Sequence, residues 1–237
     1  MQITQVTDTF SLDNVVPYFQ PIMDLRNNAV WRYECLARLV TLEQHTFLPS
    51  EFLFLVARQQ SVALLTETIF NRSARYFRDI NMAWNINVSL ADMSDPQIHA
   101  FLASQMHDYP NPERVALEIT ADNALSDKEA FAHFASLCAD LKISLFVDHF
   151  SEQLKSTEII LNLPISGIKI SGTLIEQLPE NGQALNYVSR LNNQAQERGI
   201  ELIAEHIEDE QALEAVRSVG INYAQGFYFS RPKAKTD

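Results

Sequence analysis

Cysteine, glycine and long apolar runs are scarce in this chain of 237 residues, and each shortage excludes a class of protein. The two cysteines, Cys35 and Cys138, form no close pair, so they provide no disulfide framework and fit a reducing compartment. With 6 Gly and 9 Pro, the chain is unlike a disordered polypeptide. The longest apolar run, near residues 52–57, is too short to span a membrane, and residues 1–10 lack the segments of a signal peptide. We therefore expect a soluble cytoplasmic protein.

Positive charge is also in short supply, since 18 Lys and Arg face 30 Asp and Glu, a formal net charge of −12. A chain this acidic repels phosphate backbones, which argues against direct binding of nucleic acid. A small anionic ligand held by a metal and a few basic side chains is still allowed. The hydrophobic fraction of 46% suffices for a full core, and the length is usual for a (β/α) barrel. No linker is visible, so we expect residues 1–237 to form a single domain.

Strand and helix patterns alternate along the chain. The first two strand-like runs, near Val15–Asp24 and Ala29–Val40, are joined by residues 25–28, which predict a hairpin turn. Further strands are predicted near residues 82–90, 114–119, 143–150, 167–170, 200–205 and 223–229, and helices near residues 49–60, 64–78, 94–107, 126–141, 152–161, 173–178, 183–198 and 209–219. Ser126 and Glu129 have the spacing of a capping box. Repeated β–α units predict a parallel barrel or a doubly wound sheet, in which the hairpin makes at least one strand antiparallel.

Four apolar runs in the second half of the chain end on side chains that can bind a metal or move a proton: Glu118, Asp148, Lys169 and Glu205. The carboxyl ends of barrel strands gather on one face, so we expect one shared polar pocket there. Asn87 lies one strand earlier, and Glu34 lies in the second hairpin strand. Such hard oxygen ligands suit Mg²⁺, Mn²⁺ or Ca²⁺. Any one of these carboxylates alone would more often cap a helix or pair with a lysine, but their succession at strand ends favours a metal site.

Basic side chains near these positions have two interpretations each. Lys169 could orient a water or neutralise a phosphate, or lie on the surface. Arg38 follows Glu34 by four residues, so both can face one side of a strand, where Arg38 could clamp a phosphate or form a surface ion pair. His149 and His206 each follow an acidic candidate and could be a ligand or a proton carrier. Because adjacent strand residues face opposite ways, we expect at most one member of each pair to point into the pocket.

Short motifs along the chain are those of one known family. Residues 18–22 resemble its opening Tyr-x-Gln-Pro-Ile motif, and residues 34–38 (Glu-Cys-Leu-Ala-Arg) stand where Glu-Ala-Leu-x-Arg belongs. In the middle of the chain, residues 87–89 resemble Asn-Leu-Ser and residues 117–120 resemble Leu-Glu-Ile-Thr. Near the end, residues 204–208 resemble Ala-Glu-Gly-Val-Glu, and residues 223–227 and 230–232 match the closing motif. From Tyr18 to Pro232 the chain therefore resembles the EAL domain, the family of cyclic di-GMP phosphodiesterases and their degenerate relatives. The resemblance implies a modified TIM-type (β/α)8 barrel with one antiparallel strand, in agreement with the hairpin.

The resemblance also implies roles for particular side chains. A first metal ion, Mg²⁺, Mn²⁺ or Ca²⁺, would be held by four of them: Glu34, Asn87, Glu118 and Asp148. Lys169 would touch the attacking water, and Glu205 would serve near it. Gln225 would support the site. Gln20 and Arg38 would meet the dinucleotide.

Several positions depart from the family's pattern. Where the family has Asp-Asp-Phe-Gly-Thr-Gly, residues 148–153 read Asp-His-Phe-Ser-Glu-Gln, so His149 replaces a ligand of the second metal and the loop loses its glycines. Ala121 replaces a loop-steadying Glu, Ser171 replaces the Asp of Lys-Ile-Asp, and His206 replaces a Gly. Two-metal hydrolysis needs charge neutralisation at both the attacking and the leaving oxygen, and errors of about 1 Å can cost roughly 10²-fold in rate. The catalytic side chains, Lys169 and Glu205, are therefore predicted to be vestigial.

These departures favour a degenerate, non-catalytic EAL regulator that acts by protein–protein interaction. Stand-alone relatives in enteric bacteria repress motility by binding the flagellar master activator, so the resemblance implies a DNA-binding transcription regulator as partner. The acidic composition favours a basic partner of that kind. A receptor for cyclic di-GMP and a metal-dependent phosphodiesterase with residual activity, in which His149 is a substitute ligand, are the alternatives. No direct contact with nucleic acid or membrane is expected.

Overall fold

A closed sheet forms the centre of the computed structural model, which describes residues 10–59, 61–151 and 157–236. Its strands are β1 (Val15–Asp24), β2 (Ala29–Val40), β3 (Thr46–Phe47), β4 (Ala83–Asn87), β5 (Val115–Thr120), β6 (Ser144–Phe150), β7 (Gly167–Ile170), β8 (Glu201–Ala204) and β9 (Tyr223–Ala224). Neighbours follow the order β1-β9-β8-β7-β6-β5-β4-β2, and β1 also pairs with β2, which closes an eight-stranded barrel. The short β3 pairs with β2 outside this ring.

The predicted hairpin is present and sets the direction of β1. This strand runs antiparallel to both β2 and β9, whereas β2, β4, β5, β6, β7, β8 and β9 pair in parallel. Residues 25–28 form the turn, and Asn28 takes the left-handed conformation that Asn tolerates (φ 54°). The expected modified barrel with one antiparallel strand is therefore confirmed.

Helices cover the outside of the barrel. They are α1 (Pro49–Arg58), α2 (Val62–Phe77), α3 (Leu90–Ser94), α4 (Pro96–His107), α5 (Ala121–Ser126), α6 (Lys128–Asp140), α7 (Thr157–Leu161), α8 (Gly172–Ile175), α9 (Gly182–Glu197) and α10 (Glu210–Ser218). Large side chains such as Phe70, Phe77 and Trp84 pack between helices and strands in the main apolar core. Within the described residues, no helix is long and apolar enough to cross a membrane.

A smaller apolar cluster, which includes Ile22, Phe146 and Ile203, fills part of the barrel interior. Arg32 is buried beside it, with its guanidinium carbon 4.7 Å from the ring centre of Phe146 and 4.6 Å from that of Trp31. Strand β5 is buried along nearly its whole length. Alternate residues of such a strand face the barrel interior and the helices, so Ala116 and Glu118 share one face.

Local signals near the helix starts were partly wrong. The cap of α6 is Asp127, whose Oδ1 accepts a hydrogen bond from Ala130 N at 2.9 Å, so the predicted capping box of Ser126 and Glu129 is not formed. Ser126 instead ends the short α5, which the sequence patterns did not predict. Asp127 forms the N-cap because its side-chain acceptor lies one residue nearer the helix than that of Ser126.

Three predicted elements are shorter than expected. The strand near residues 82–90 ends at Asn87, because Ser89 caps α3 through a hydrogen bond from Asp92 N to its Oγ at 3.2 Å. The helix near residues 94–107 begins at Pro96, after Asp95. The last strand stops at Ala224; two residues later, Gly226 lies so close to the backbone of Ile207 that any Cβ would collide with it. For the helix near residues 152–161, residues 152–156 lie outside the described residues.

Candidate functional site

Four carboxylates surround one ammonium group inside the barrel. The carboxylate–lysine cluster, as we call it, consists of Glu34 on β2, Glu118 on β5, Asp148 on β6, Lys169 on β7 and Glu205 directly after β8. Lys169 Nζ lies 2.9 Å from Glu34 Oε2, 3.0 Å from Glu118 Oε2, 3.0 Å from Glu205 Oε1 and 3.9 Å from Asp148 Oδ1. The Lys169 side chain is 1% exposed, so it is a buried central cation and not a surface lysine.

The parallel register explains why these side chains meet. Asn87 lies beside Glu118, and Thr120 lies beside Asp148, so consecutive strands end at the same level of the barrel. On the antiparallel side, Gln20 of β1 is paired with Glu34 of β2. The expected polar pocket at the strand ends follows directly from this arrangement.

Burial and excess negative charge set the protonation of the cluster. Burial raises the pKa of Glu118 well above its usual range, and the neighbouring Glu34 adds to the rise. Burial also raises the pKa of Glu205 to about 7 against the opposing charge of Lys169. For Glu34, burial acts in the same direction, but the Lys169 ammonium prevails and lowers its pKa. Buried charges are costly unless neutralised, and the single charge of Lys169 does not neutralise four carboxylates, although it lies within 4 Å of each of them. The cluster therefore favours an additional cation.

Amide side chains hold the carboxylates from the other side. Asn87 Nδ2 donates to Glu34 Oε1 at 2.8 Å, and Gln225 Nε2 donates to Glu34 Oε2 at 2.8 Å and to Gln20 Oε1 at 3.1 Å. Gln20 Nε2 in turn donates to the carbonyl of Ser230 at 3.1 Å. Gln225 Oε1 is buried and has no hydrogen-bond partner among the described residues. Apart from Arg38, the predicted metal and ligand residues thus form one connected network.

Asn85 belongs to this network, although sequence reasoning missed it. Its Nδ2 donates to Glu118 Oε1, and the residue is fully buried on β4. Period two along the strand places Asn85 on the same face as Asn87, which was the available signal. The carboxylate of Glu118 is therefore fixed by an amide at one oxygen and by Lys169 at the other.

Two histidines, which we call the rim histidines, stand beside the cluster: His149 and His206. We expected only one member of each acidic–histidine pair to face the pocket, and this was wrong, because all four of these side chains line the same cavity. Both rim histidines have φ near 56°, in the left-handed region, so the backbone turns at each strand end and the alternation of faces is lost.

His149 forms a close pair with Asp148. Its Nδ1 lies 2.8 Å from Asp148 Oδ2, and its backbone N donates to Asp148 Oδ1 at 2.7 Å. This hydrogen bond raises the pKa of His149 to about 9, against the effect of partial burial. Burial would raise the pKa of Asp148, but Lys169 and His149 hold it far below its usual range. At neutral pH the pair is therefore an imidazolium and a carboxylate.

A cavity of about 840 Å³ opens above the cluster. Carboxylates form its floor, while Arg38 and Arg231 supply positive charge at its sides. The Arg38 guanidinium donates to the carbonyl of Ala37 at 2.8 Å and makes no ion pair with a described residue, unlike the predicted alternative of a surface pair. Arg231 lies over the ring of Phe227 at 4.1 Å. This volume suits a ligand of drug or dinucleotide size.

The remaining departures from the family pattern lie outside the cluster's contacts. Ala121 is buried at the start of α5, and its methyl group can bind neither a metal nor a loop backbone. Ser171 precedes α8, and its Oγ lies 3.1 Å from Thr173 Oγ1. Glu152 and Gln153, which stand where the family's loop ends, lie outside the described residues.

The donors present fit a hard divalent cation. Glu34, Asn87, Glu118 and Asp148 offer carboxylate and amide oxygens, the ligand type that Mg²⁺, Mn²⁺ and Ca²⁺ take. The Lys169 ammonium contacts three of the four cluster carboxylates at 2.9–3.0 Å, so this interior is built around positive charge. Among the described residues, the ligand atoms of one group of three such side chains, Asp148, His149 and Glu205, all lie within 4.8 Å of one another.

An eight-stranded barrel with charged side chains at its strand ends defines a protein of the (β/α) barrel class. Within that class the chain matches the EAL domain family over residues 3–232, and it belongs to that family. It is 22% identical over 236 residues to the cyclic di-GMP phosphodiesterase PdeB of Shewanella oneidensis, covering 97% of this chain and 28% of that protein. It is also 22% identical to the probable cyclic di-GMP phosphodiesterase PdeB of Escherichia coli, covering 98% of this chain and 45% of that protein. The chain thus spans less than half the length of these relatives.

Solved structures share the fold. The complex of the PaMucR phosphodiesterase with c-di-GMP superposes with a TM-score of 0.84 at 20% identity, covering 98% of this chain and 95% of that one. The calcium and cyclic di-GMP complex of Klebsiella pneumoniae BlrP1 gives a TM-score of 0.84 at 19% identity, covering 94% of this chain and 57% of that one. At these identities the structural similarity establishes the barrel fold alone. The chemistry of this chain depends on its own side chains.

Proposed function

We propose that this chain is a degenerate EAL regulator, which binds cyclic di-GMP with the help of a divalent cation but hydrolyses it negligibly with Mg²⁺ or Mn²⁺. The observation that carries the proposal is the contrast between the complete carboxylate–lysine cluster and the imidazole of His149 at its edge. The cluster supplies the means of binding. The edge lacks the oxygen ligand that a second hard cation would use.

The metal part of the proposal rests on the oxygen donors. Glu34, Asn87, Glu118 and Asp148 would hold Mg²⁺, Mn²⁺ or Ca²⁺. When bound, such a cation supplies positive charge for phosphate oxygens. The cluster favours such a cation, because its four buried carboxylates surround a single ammonium group. The calcium in the complex of Klebsiella pneumoniae BlrP1 supports a divalent cation as the bound ion.

The nucleotide part rests on the cavity walls. Arg38 has no carboxylate partner among the described residues, so its guanidinium is free to form charge-assisted hydrogen bonds with a phosphate. Tyr18 and Phe227 line the cavity, and aromatic rings of this kind can stack on a guanine base. The complexes of PaMucR and BlrP1 with cyclic di-GMP support this choice of ligand.

The loss of turnover rests on the edge of the site. At neutral pH an imidazolium stands against Asp148, and this positive charge disfavours a hard cation at that side. The methyl group of Ala121 offers no carboxylate to steady the following loop. Lys169 and Glu205 are still present and paired at 3.0 Å, but they would be vestigial catalytic groups without a second cation to neutralise the charge on the leaving oxygen.

Calorimetric titration with cyclic di-GMP tests this proposal, with Mg²⁺ or with a chelator present. We expect binding that requires the cation and is lost in Arg38→Ala, while linear pGpG accumulates far more slowly than the order of 1 s⁻¹ typical of enzymes. Turnover near that rate, abolished by Glu34→Ala, would show instead that the chain is a working phosphodiesterase. Tight binding that ignores both the chelator and Arg38→Ala would show that the site is assigned wrongly.

For its output, we propose a protein partner, namely a DNA-binding transcription regulator such as the flagellar master activator. The formal charge of −12 favours a basic partner and raises the rate of association at low salt. A pull-down from cell extract, followed by a mobility-shift assay with the partner's DNA, tests it. We expect the chain to remove the regulator from DNA, with an effect that weakens as salt rises. Direct binding of this chain to DNA would contradict the proposal.

A further inference from the structure

We propose that Arg32 is an internal counter-ion of the carboxylate–lysine cluster, which lowers the affinity of the cluster for divalent cations from the side opposite the cavity. The inference rests on the proposed function only in that the cluster is taken to bind such a cation. Arg32 lies outside the motifs by which the chain resembles the EAL family.

A β-bulge brings Arg32 into the barrel. Ile22 of β1 is paired with Arg32, and Met23 is paired with Val30, so Trp31 is an extra residue in β2. Bulges of this kind change the direction of nearby side chains. Both Trp31 and Arg32 accordingly pack against the small apolar cluster in the barrel interior.

The level of Arg32 in the barrel separates it from the cavity. It lies two residues before Glu34 on the same face of β2 and is paired with Ala83, the first residue of β4. Two residues of a strand span about 7 Å, a distance over which charges in a protein interior still interact. Among the described residues, Arg32 does not belong to the lining of the cavity. It can therefore act on a cation in the cluster through its charge but not as a ligand.

The guanidinium of Arg32 is buried without a carboxylate partner among the described residues. Arg32 is 4% exposed, and its Nε and Nη1 have no hydrogen-bond partner in the same part of the chain. The ring centres of Trp31 and Phe146 lie 4.6 and 4.7 Å from its guanidinium carbon. Such cation–π contacts offset only part of the cost of burying a charge, so further compensation has to come from negative charge nearby.

The carboxylate–lysine cluster supplies that negative charge. Its four carboxylates surround the single ammonium group of Lys169, and Arg32 reduces the remaining excess by one charge. Burial lowers the pKa of Arg32 to about 10, and the charge of Glu118 opposes the shift, so Arg32 is a cation at neutral pH. A divalent ion that enters the cluster is then repelled by two fixed positive charges, Lys169 and Arg32. Removal of Arg32 should therefore strengthen cation binding.

Arg26 provides a matched control near the same end of the barrel. It lies in the turn between β1 and β2, and its Nη2 is 2.8 Å from Asp24 Oδ2. Like Arg32 it lies over an aromatic ring, with its guanidinium carbon 5.1 Å from the ring centre of Tyr223. The Arg26 side chain is 54% exposed, so solvent and its own carboxylate screen its charge.

The test is calorimetric titration of the metal-free full chain with Mg²⁺ and with Ca²⁺, without nucleotide. We expect Arg32→Met to bind both ions about 10-fold or more tightly than the wild type, because a charge beside the site is removed in a poorly screened interior. Arg26→Met should bind them as the wild type does. Arg32→Lys keeps the charge in a different shape, so its affinity should stay closer to that of the wild type than to that of Arg32→Met.

Arg32→Gln is a second uncharged variant, which keeps a polar group inside the barrel, and circular dichroism checks the fold of each variant. Tighter binding in the uncharged variants supports the proposal. Binding by these variants with none in the wild type also supports it, although the cation-dependent part of the proposed function would then fail. Equal affinity or equal lack of binding in the wild type and the uncharged variants, or an equal gain in Arg32→Lys or Arg26→Met, would overturn the proposal. Failure of both uncharged variants to fold would count against it as well, because Arg32 would then serve the barrel itself.

Discussion

The carboxylate–lysine cluster and the rim histidines carry the same kind of ionisable chemistry, but the protein holds them in opposite ways. Lys169 and Glu118 are 1% and 0% exposed, lie on regular strands and contact each other directly. His149 is 67% exposed, stands near the end of β6 and, within the part of the chain that the structure describes, hydrogen-bonds to Asp148. A buried charge depends on its partners for the stability of the whole barrel, whereas an exposed one can be replaced at little cost to folding. The cluster is therefore constrained by the fold, whereas a change at the rim histidines can alter the function of the site without unfolding the barrel.

The largest effect expected from this contrast between cluster and rim is a loss of stability on replacement of Lys169. In Lys169→Met, four buried carboxylates lose their common cation, and we expect the free energy of unfolding to fall by about 3–5 kcal/mol in metal-free buffer. Added Mg²⁺ should restore part of the loss, because it replaces the missing positive charge. Urea unfolding measures both effects, with Lys128→Met on the exposed face of α6 as control. A loss no larger than that of the control would remove the distinction between cluster and rim.

Asn85 tests whether the cluster extends beyond the charged groups. Its amide donates to Glu118, so Asn85→Ala should leave that buried carboxylate without a donor and cost about 1–3 kcal/mol. The exposed Asn81, just before the same strand, provides the control Asn81→Ala, which we expect to change stability by less than about 0.5 kcal/mol. Equal effects of the two substitutions in urea unfolding would exclude Asn85 from the network.

Restoring acidic groups at the edge of the site should raise the activity of the protein. The double variant Ala121→Glu, His149→Asp restores two acidic groups at the edge of the site, and we expect turnover of cyclic di-GMP with Mg²⁺ to rise by about 10-fold or more, since errors of placement cost up to roughly 10²-fold. Formation of pGpG is the readout, and Ser171→Asp alone is the control. Unchanged turnover in the double variant would place the defect elsewhere in the site.

The smallest effect concerns pH. The pKa of His149 is raised from an ordinary 6.5 to about 9, so the folded protein binds its proton more tightly than the unfolded chain does. The stability from this pair is therefore complete below about pH 6.5 and is lost as pH rises through 9. The side chain is exposed, so we expect a change of at most about 1 kcal/mol. Urea unfolding with a chelator at both ends of this range should show a larger fall in the wild type and in His206→Ala than in His149→Ala, in which Glu205, whose pKa is raised to about 7, still titrates. A free energy of unfolding that rises between about pH 6.5 and pH 9 would contradict the predicted direction of the change.

Sequence reasoning reached the fold and the membership of the pocket but not its contacts. The hairpin between β1 and β2 and the alternation that follows were sufficient for the barrel, because strand direction and period are local properties. The ends of β5 to β8 placed Glu118, Asp148, Lys169 and Glu205 on one face for the same reason. The metal-binding and catalytic roles of these residues stay predictions, as does the extent of the domain.

The failures have local physical causes. The strand period predicted opposite faces for Asp148 and His149, but a positive φ at a strand end overrode it. The predicted capping box at Ser126 is not formed, because Asp127, one residue nearer the helix, caps α6 instead. Asn85 carried no motif, and only the packing of β4 against β5 reveals its bond to Glu118. Such contacts across strands depend on register and rotamer, which single-sequence patterns do not specify.

The most direct test of the central claim is one calorimetric experiment, in which cyclic di-GMP is injected into the wild-type chain with Mg²⁺ present. Binding gives heat that saturates with ligand, whereas hydrolysis gives a sustained heat flow after every injection. The intact cluster and altered rim predict a saturating isotherm that disappears on addition of a chelator, with no sustained heat. Sustained heat flow with Mg²⁺ would contradict the account, because it would mean that the rim with His149 still supports turnover.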